Sequence, residues 1–196
     1  RQRQMCIRDS SHIISNRLDI PLCLHIVWRQ CLIKIVAYCK HIFVVRVLKD
    51  IDTGELNSGV GILASLEVRG RKQLDLNGFT LQMYSEKTGV YDMFTIKHGD
   101  LTVLDSTGGG KGTILGSTYN DSCYLFDIQS YGQLTLNSGT LKVDVRKSIS
   151  NNNRWRRVIH CYAGGTVTIN GGTLHVAPET YENEKHSYGM YFEEEY

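Results

Sequence analysis

Acidic and histidine side chains that could take part in hydrolysis lie at matching positions of successive repeats in this chain. Glu67, Thr95, Asp127 and His160 each stand between two apolar neighbours. Glycosidases need two carboxylates roughly 5–10 Å apart, and neighbouring strands lie about 4.8 Å apart. Glu67 and Asp127, two repeats apart, could therefore reach that separation. Because any stack of repeats with surface acids offers such a pair, the sequence identifies no catalytic residue.

The spacing of the other acids and histidines predicts no metal site and no cofactor. The histidines of the repeat region do not share one face at ligand spacing, and we predict that they are exposed strand residues: His98, His160, His175 and His186. The remaining aspartates are scattered over loops and corners, whereas calcium needs several oxygen ligands converging at one place. No Ser-His-Asp or Cys-His arrangement can be recognised either.

Two further motifs favour structural roles. The segment 108–113 (GGGKGT) is rich in glycine, but it lacks the order of residues of a phosphate-binding loop and no helical pattern follows it. We interpret it as an insert at a corner. The six cysteines form no C-x-x-C pair and match no usual zinc spacing, so we expect free or buried thiols.

Aromatic residues mixed with Asn, Lys, Arg and Glu occur in the longer segments between the repeated motifs, at about 83–93, 115–125, 144–158 and 177–190. Insertions in a solenoid emerge on one side, and aromatic rings beside polar groups suit sugar stacking and protein contact. The candidate ligand-binding residues are Tyr119, Tyr124, Trp155, Arg156 and Tyr181. The expected partner is a polysaccharide or a host-surface glycan. In the alternative interpretation, the rings pack the loops against the sheet and the arginines of residues 154–157 lie in a solvated loop.

Four repeats of strand, turn and strand must position these residues. Their first apolar anchors are Leu74, Leu101, Leu134 and Val167, which are 27, 33 and 33 residues apart. The next inward residues are Leu76, Val103, Leu136 and Ile169, and Thr102, Thr135 and Thr168 alternate with them. Since side chains alternate faces along a strand, we predict that all eight apolar residues are buried in register and that the threonines face outward. Each repeat holds three short strands, and Asn and Gly at the corners tolerate the turn conformation.

A stack of such units predicts an all-β, right-handed parallel β-helix with three sheets and about four to five coils. Residues 44–196 form the helix, which we expect to be cut at both ends. Residues 1–43 are of doubtful origin and could cap its open end; residues 1–10 resemble a translated sequencing adapter, and we expect them to pack against nothing.

A net charge of +2 favours no nucleic-acid binding, and no apolar run reaches the length of about 20 residues that inserts into a membrane.

The runs 45–82 (with QLDLNGFTLQ), 101–115 (LTVLDSTGGGKGTIL) and 165–175 (GTVTINGGTLH) resemble the pectin-lyase-like β-helices of bacterial secreted and cell-surface proteins. The resemblance covers residues 44–177. It implies an extracellular or cell-surface location and a module without catalytic activity, which serves as an adhesin stalk or a glycan-contact scaffold. The alternative that it leaves open is a fragment of a polysaccharide lyase or glycoside hydrolase of the same fold.

Overall fold

The computed structural model of the chain describes residues 22–26, 43–55, 66–85, 91–118, 123–145, 155–176 and 186–194. These residues form an all-β parallel solenoid of about three turns without a helix. No helix in these ranges is long and apolar enough to cross a membrane. The alternation of apolar and polar residues explains the strands, because one face of each strand lines the core and the other faces outward.

The larger sheet has nine strands: β1 (Leu22–Ile26), β2 (Phe43–Val47), β4 (Leu66–Asp75), β6 (Tyr91–Leu104), β8 (Cys123–Ile128), β9 (Gln133–Leu136), β11 (Trp155–Cys161), β12 (Thr166–Ile169) and β14 (His186–Phe192). The smaller sheet has five: β3 (Ile51–Glu55), β5 (Thr80–Ser85), β7 (Thr113–Thr118), β10 (Thr140–Val145) and β13 (Thr173–Val176). The strand order is β1-β2-β4-β6-β8-β11-β14 in the larger sheet, where β9 pairs with β6 and β12, and β13-β10-β7-β5-β3 in the smaller one.

Two sheets replace the three that the sequence predicted. The strands β4 and β6 run without interruption through the corner between the upstream apolar set and the Leu/Val column. The first part of β6 pairs with β8 and its last part with β9. Hydrogen bonding along the bent strands therefore joins the two predicted sheets into one. The described strands form about three turns, fewer than the four to five coils that were predicted. After β14, no further strand of the smaller sheet lies among the described residues.

The predicted core column is confirmed in the middle of the stack. Leu101 pairs with Leu134, and Val103 with Leu136, and all four are buried, as are Leu74 and Leu76. The prediction is wrong at the C-terminal end, where Val167 is only partly buried and Ile169 is 41% exposed. Both belong to β12, which among the described strands pairs with β9 alone, so no described strand covers the other side of these residues. The threonines face outward as predicted.

The first repeat is shifted by two residues from the predicted alignment. Leu74 pairs with Val103, and Lys72 occupies the place opposite Leu101. Lys72 is buried, and its Nζ donates a hydrogen bond of 2.7 Å to the Arg69 carbonyl. A long side chain that turns its charged end back to a backbone oxygen can occupy such a position.

Side-chain carboxylates and amides connect the corners of successive turns of the solenoid. Asp105 accepts hydrogen bonds from the backbone N–H groups of Gly78 and Gly112, both 2.8 Å long. The side-chain amide nitrogen of Asn170 donates a hydrogen bond of 2.8 Å to the side-chain oxygen of Asn137 in the preceding turn. Of the segment 108–113, residues 108–112 lie between β6 and β7 and Thr113 begins β7, as expected for a corner insert.

The predicted boundary at residue 43 remains a prediction. Within residues 1–43 the structure describes only β1 and the first residue of β2, which pair in parallel. Residues 1–10 lie outside the described residues.

Candidate functional site

Two columns of polar and aromatic residues lie on the outer side of the larger sheet. Successive rungs pair Thr95 with Asp127, Asp127 with His160, and His160 with Tyr191. The neighbouring column consists of Asp92, Tyr124, Arg157 and Tyr188. Because the strands are parallel and in register, each column places its side chains one strand spacing apart. The sheet therefore concentrates acids, bases and rings on one surface.

His160 lies between two carboxylates. Its Nδ1 is 3.1 Å from Oδ1 of Asp127, and its Nε2 is 3.0 Å from Oε1 of Glu193. A protonated imidazole donates to both carboxylates at once. His160 and Asp127 are buried, so the prediction of an exposed His160 is wrong.

Three tyrosine rings surround the imidazole of His160, with centroid distances of 4.6 Å to Tyr124, 4.4 Å to Tyr162 and 5.7 Å to Tyr191. Tyr162 directly follows β11, the strand of His160, and the other two rings come from the neighbouring strands β8 and β14. They exclude water from the imidazole, which explains why a histidine on the outer side of a sheet is buried.

Asp92 is the acid whose protonation differs most from that of an ordinary aspartate. Burial, together with the negative charge of Asp127, raises its pKa to about 7, and His160 acts in the opposite direction. Its Oδ1 has no hydrogen-bond partner among the described residues. A carboxyl that exchanges a proton near neutral pH is suited to general acid–base chemistry. With Asp127, His160 and Glu193 it forms a group that we call the carboxylate–histidine network.

Arg157 is buried beneath three aromatic rings. Its guanidinium carbon lies 3.6 Å from the ring centroid of Tyr191, 4.3 Å from that of Trp155 and 5.0 Å from that of Tyr124. Cations over aromatic faces are attracted by the ring quadrupole. The prediction of a solvated arginine loop at this point is wrong, since Arg156 and Arg157 belong to β11 and are buried.

The rings around Arg157 form a surface that is only partly open to solvent. Trp155 is 39% exposed, and Tyr162 and Tyr188 are each 37% exposed. Burial raises the pKa of Tyr162 to about 12, so its phenol keeps its proton at neutral pH. We call Tyr124, Trp155, Arg157, Tyr162, Tyr188 and Tyr191 the aromatic face.

The structure brings two of the five predicted ligand-binding residues together. Tyr124 and Trp155 both contact the Arg157 guanidinium. Arg156 pairs in register with Cys123, and because neighbouring side chains alternate, it points to the other side of β11 from Arg157. Tyr119 and Tyr181 lie outside the described residues. Ligand binding by these residues remains a prediction.

Sequence reasoning missed Arg157 and Glu193 as members of this surface, although a signal was present. Asp127, His160 and Glu193 follow one another at intervals of 33 residues, which is also the interval between the later leucine and valine anchors. The interval singles out Glu193, although the strand register places Tyr191, two residues earlier, opposite His160. The burial of Arg157 has no comparable signal, since it depends on rings from three rungs.

The described residues provide no other evident chemistry. They contain no group of three or more His, Cys, Asp or Glu residues arranged to hold a metal ion. Cys123 and Cys161 are free and buried. Burial, with the nearby Asp92, raises the pKa of the Cys123 thiol to about 12, which makes it a poor nucleophile at neutral pH.

Comparison with known proteins adds no identity. No protein-family model, no curated protein and no solved structure matches the chain.

Proposed function

We propose that this chain is a non-catalytic β-solenoid module of an extracellular or cell-surface protein, which contacts glycans through the aromatic face. The proposal includes the right-handed winding and the pectin-lyase-like relationship suggested by the sequence motifs. The partner is a polysaccharide or a glycan of a host surface. Where the module contacts no glycan, the same scaffold acts as the stalk of an adhesin.

The main support for this proposal is the arrangement of aromatic rings around Arg157. The rings of Trp155, Tyr124 and Tyr191 lie within 5.0 Å of its guanidinium. Rings that are already fixed lose little conformational entropy when a ligand binds. Sugars present flat C–H faces to such rings and hydroxyls to the polar groups beside them. Trp155 and Tyr188 expose enough ring surface for that contact.

The test is a fluorescence titration of the whole chain with polysaccharides of different backbone chemistry. The chain has two tryptophans, and a Trp28→Phe background leaves Trp155 as the only reporter. We expect a saturable change in Trp155 emission. Calorimetry should then show that Trp155→Ala binds at least about tenfold more weakly, which corresponds to a loss of about 1.4 kcal/mol or more.

His175→Ala is the matched control, since His175 is also exposed but lies on the smaller sheet. It should bind like the wild type. Equal affinities of the wild type, Trp155→Ala and Tyr188→Ala for a bound glycan would exclude the aromatic face as the contact surface. Binding to none of the polysaccharides would favour the stalk.

The carboxylate–histidine network favours a second candidate, a glycoside hydrolase or polysaccharide lyase. Asp92, with a pKa of about 7, has the protonation behaviour of a general acid, and Asp127 and Glu193 are nearby carboxylates. The burial of Asp127 and His160 argues against this candidate, because a catalytic acid must reach the substrate. Polysaccharide cleavage that is lost in Asp127→Asn would support the enzyme.

A further inference from the structure

A second surface feature lies at the corner where the larger sheet bends. His98, Tyr131 and Gly164 occupy the same corner position in three successive rungs, at intervals of 33 residues. Their φ angles are +54°, +63° and +79°. The backbone therefore adopts the left-handed conformation at this position in each of the three rungs.

Glycine is the residue that this conformation favours, because a Cβ atom makes it unfavourable for other residues. Gly164 follows this rule, whereas His98 and Tyr131 do not, and a bulky residue with positive φ is uncommon. Backbone strain of this kind is often found at functional sites. In the third turn Gly164 forms this corner without a side chain, so the bend does not require the rings of His98 and Tyr131.

The rings of His98 and Tyr131 stack on each other outside the core. Their centroids are 5.4 Å apart and their planes differ by 16°, and Tyr131 is 71% exposed. The rung after Tyr131 has Gly164 at the equivalent position, which has no side chain to extend the stack. One face of the Tyr131 ring is thus covered by His98, and no third ring of the column covers the other.

An open cleft of about 360 Å³ lies beside this pair. Its lining includes Arg71, Asp100 and Gln133 together with the two rings. Nε of Arg71 lies 3.2 Å from Oδ2 of Asp100, so the two charges offset each other. Gly99 forms part of the lining, and a Cβ atom there would lie 2.4 Å from the Val68 carbonyl oxygen, which keeps this part of the lining free of side chains.

We propose that this corner cleft is a binding site for a neutral saccharide, separate from the aromatic face. The open face of Tyr131 takes the C–H face of a sugar ring, and the groups of Arg71, Asp100 and Gln133 exchange hydrogen bonds with its hydroxyls. The paired charges favour an uncharged ligand, because an acidic sugar would meet Asp100 and a cationic one would meet Arg71. The strained backbone at residues 98 and 131 serves to hold the two rings at the mouth of the cleft.

The experiment uses the full chain carrying Trp155→Ala, so that the aromatic face does not contribute. Cellohexaose, xylohexaose and mannohexaose are titrated by calorimetry into this chain and into versions with a further change. We expect at least one hexasaccharide to bind, Tyr131→Phe to bind it equally well, and Tyr131→Gly to bind it at least about tenfold more weakly. Because glycine suits the local backbone, Tyr131→Gly should keep the melting temperature of its parent or raise it.

Asn77→Gly is the control for the backbone, since Asn77 also has a positive φ, of +49°, and does not line the cleft. It should leave hexasaccharide binding unchanged. The proposal is overturned if none of the three hexasaccharides binds or if Tyr131→Gly binds as well as its parent. A lower melting temperature of Tyr131→Gly would also overturn it, because the ring would then be part of the fold.

Discussion

Single carboxylates hold the corners of this solenoid together. Burial alone would raise the pKa of Asp105, but hydrogen bonds from Gly112, Thr107 and Gly78 outweigh that effect and lower it. A group with a lowered pKa stabilises the fold above its unfolded pKa of about 3.9, and the contribution is lost as the pH falls through the folded value. Asp105 therefore stabilises the corner in its charged form at neutral pH.

Asp105→Ala should lower the free energy of unfolding by about 2–4 kcal/mol, because it leaves buried N–H groups without acceptors. Urea unfolding measures this change. Asp100→Ala is the matched control in the same coil, since Asp100 forms a partly exposed ion pair with Arg71, and it should cost about 0–1 kcal/mol. Equal losses in the two variants would contradict the role given to Asp105.

The contribution of Asp92 to stability changes with pH in the opposite direction to that of Asp105. Its folded pKa of about 7 lies above the unfolded value of about 3.9, so between these values the folded state binds more protons. The contribution of its protonated form is fully present below pH 4 and is lost as the pH rises through 7. Asp92→Asn should therefore raise the melting temperature relative to the wild type at pH 8 more than at pH 5. A difference between the two proteins that is the same at both pH values would rule out a raised pKa.

At the scale of the strands, the position of an apolar residue in the stack decides how much it contributes to the stability of the fold. Leu136 and Ile169 pair with each other in register. Leu136 lies inside the stack and is fully buried, whereas Ile169 belongs to β12 at the end and is 41% exposed. The pattern of the repeat is identical at both residues, but among the described strands only β9 has neighbours on both sides.

Leu136→Ala should destabilise the protein by about 2–5 kcal/mol, because it leaves a cavity in the core. Ile169→Ala should cost about 1 kcal/mol or less, since much of that side chain already contacts solvent. Chemical denaturation of both variants gives the comparison. A loss at residue 169 as large as that at residue 136 would mean that β12 is covered.

The repeat pattern of the sequence predicted the register of the inner strands but not every feature of the sheets. Alternation and the interval of 33 residues gave the later register, including Leu101 with Leu134. The first repeat was placed two residues off, because Lys72 stands where the apolar pattern requires a leucine. The number of sheets could not be derived, since β4 and β6 continue through their bends with a register shift between Val68 and Gly70, which depends on backbone geometry. The burial of His160 depends on rings from neighbouring rungs, which local alternation does not encode.

At the scale of the whole molecule, a scaffold of parallel strands presents two separate surfaces with aromatic rings. The aromatic face contains a buried cation under three rings, and the corner cleft contains paired charges beside two stacked rings. Such surfaces suit the recognition of extended chains, because a solenoid repeats its contacts along one axis. The net charge of +2 gives no strong attraction for nucleic acid.

Deletion of residues 1–10 should leave the melting temperature unchanged, because this polar segment resembles a translated adapter and is expected to make no packing contacts. Differential scanning calorimetry of the full chain and of the chain from residue 11 tests this. A decrease of several degrees would show that the segment belongs to the folded unit.

The most direct test of the proposed function measures binding and cleavage in the same samples. Wild type, Trp155→Ala and Asp127→Asn are mixed with the polysaccharides, and each mixture is assayed for affinity, new reducing ends and unsaturated products. We predict that the wild type binds at least one polysaccharide, that Trp155→Ala binds it at least about tenfold more weakly, and that no product forms. Release of sugar fragments by the wild type, with loss of that release in Asp127→Asn, would contradict it and assign the carboxylate–histidine network to catalysis.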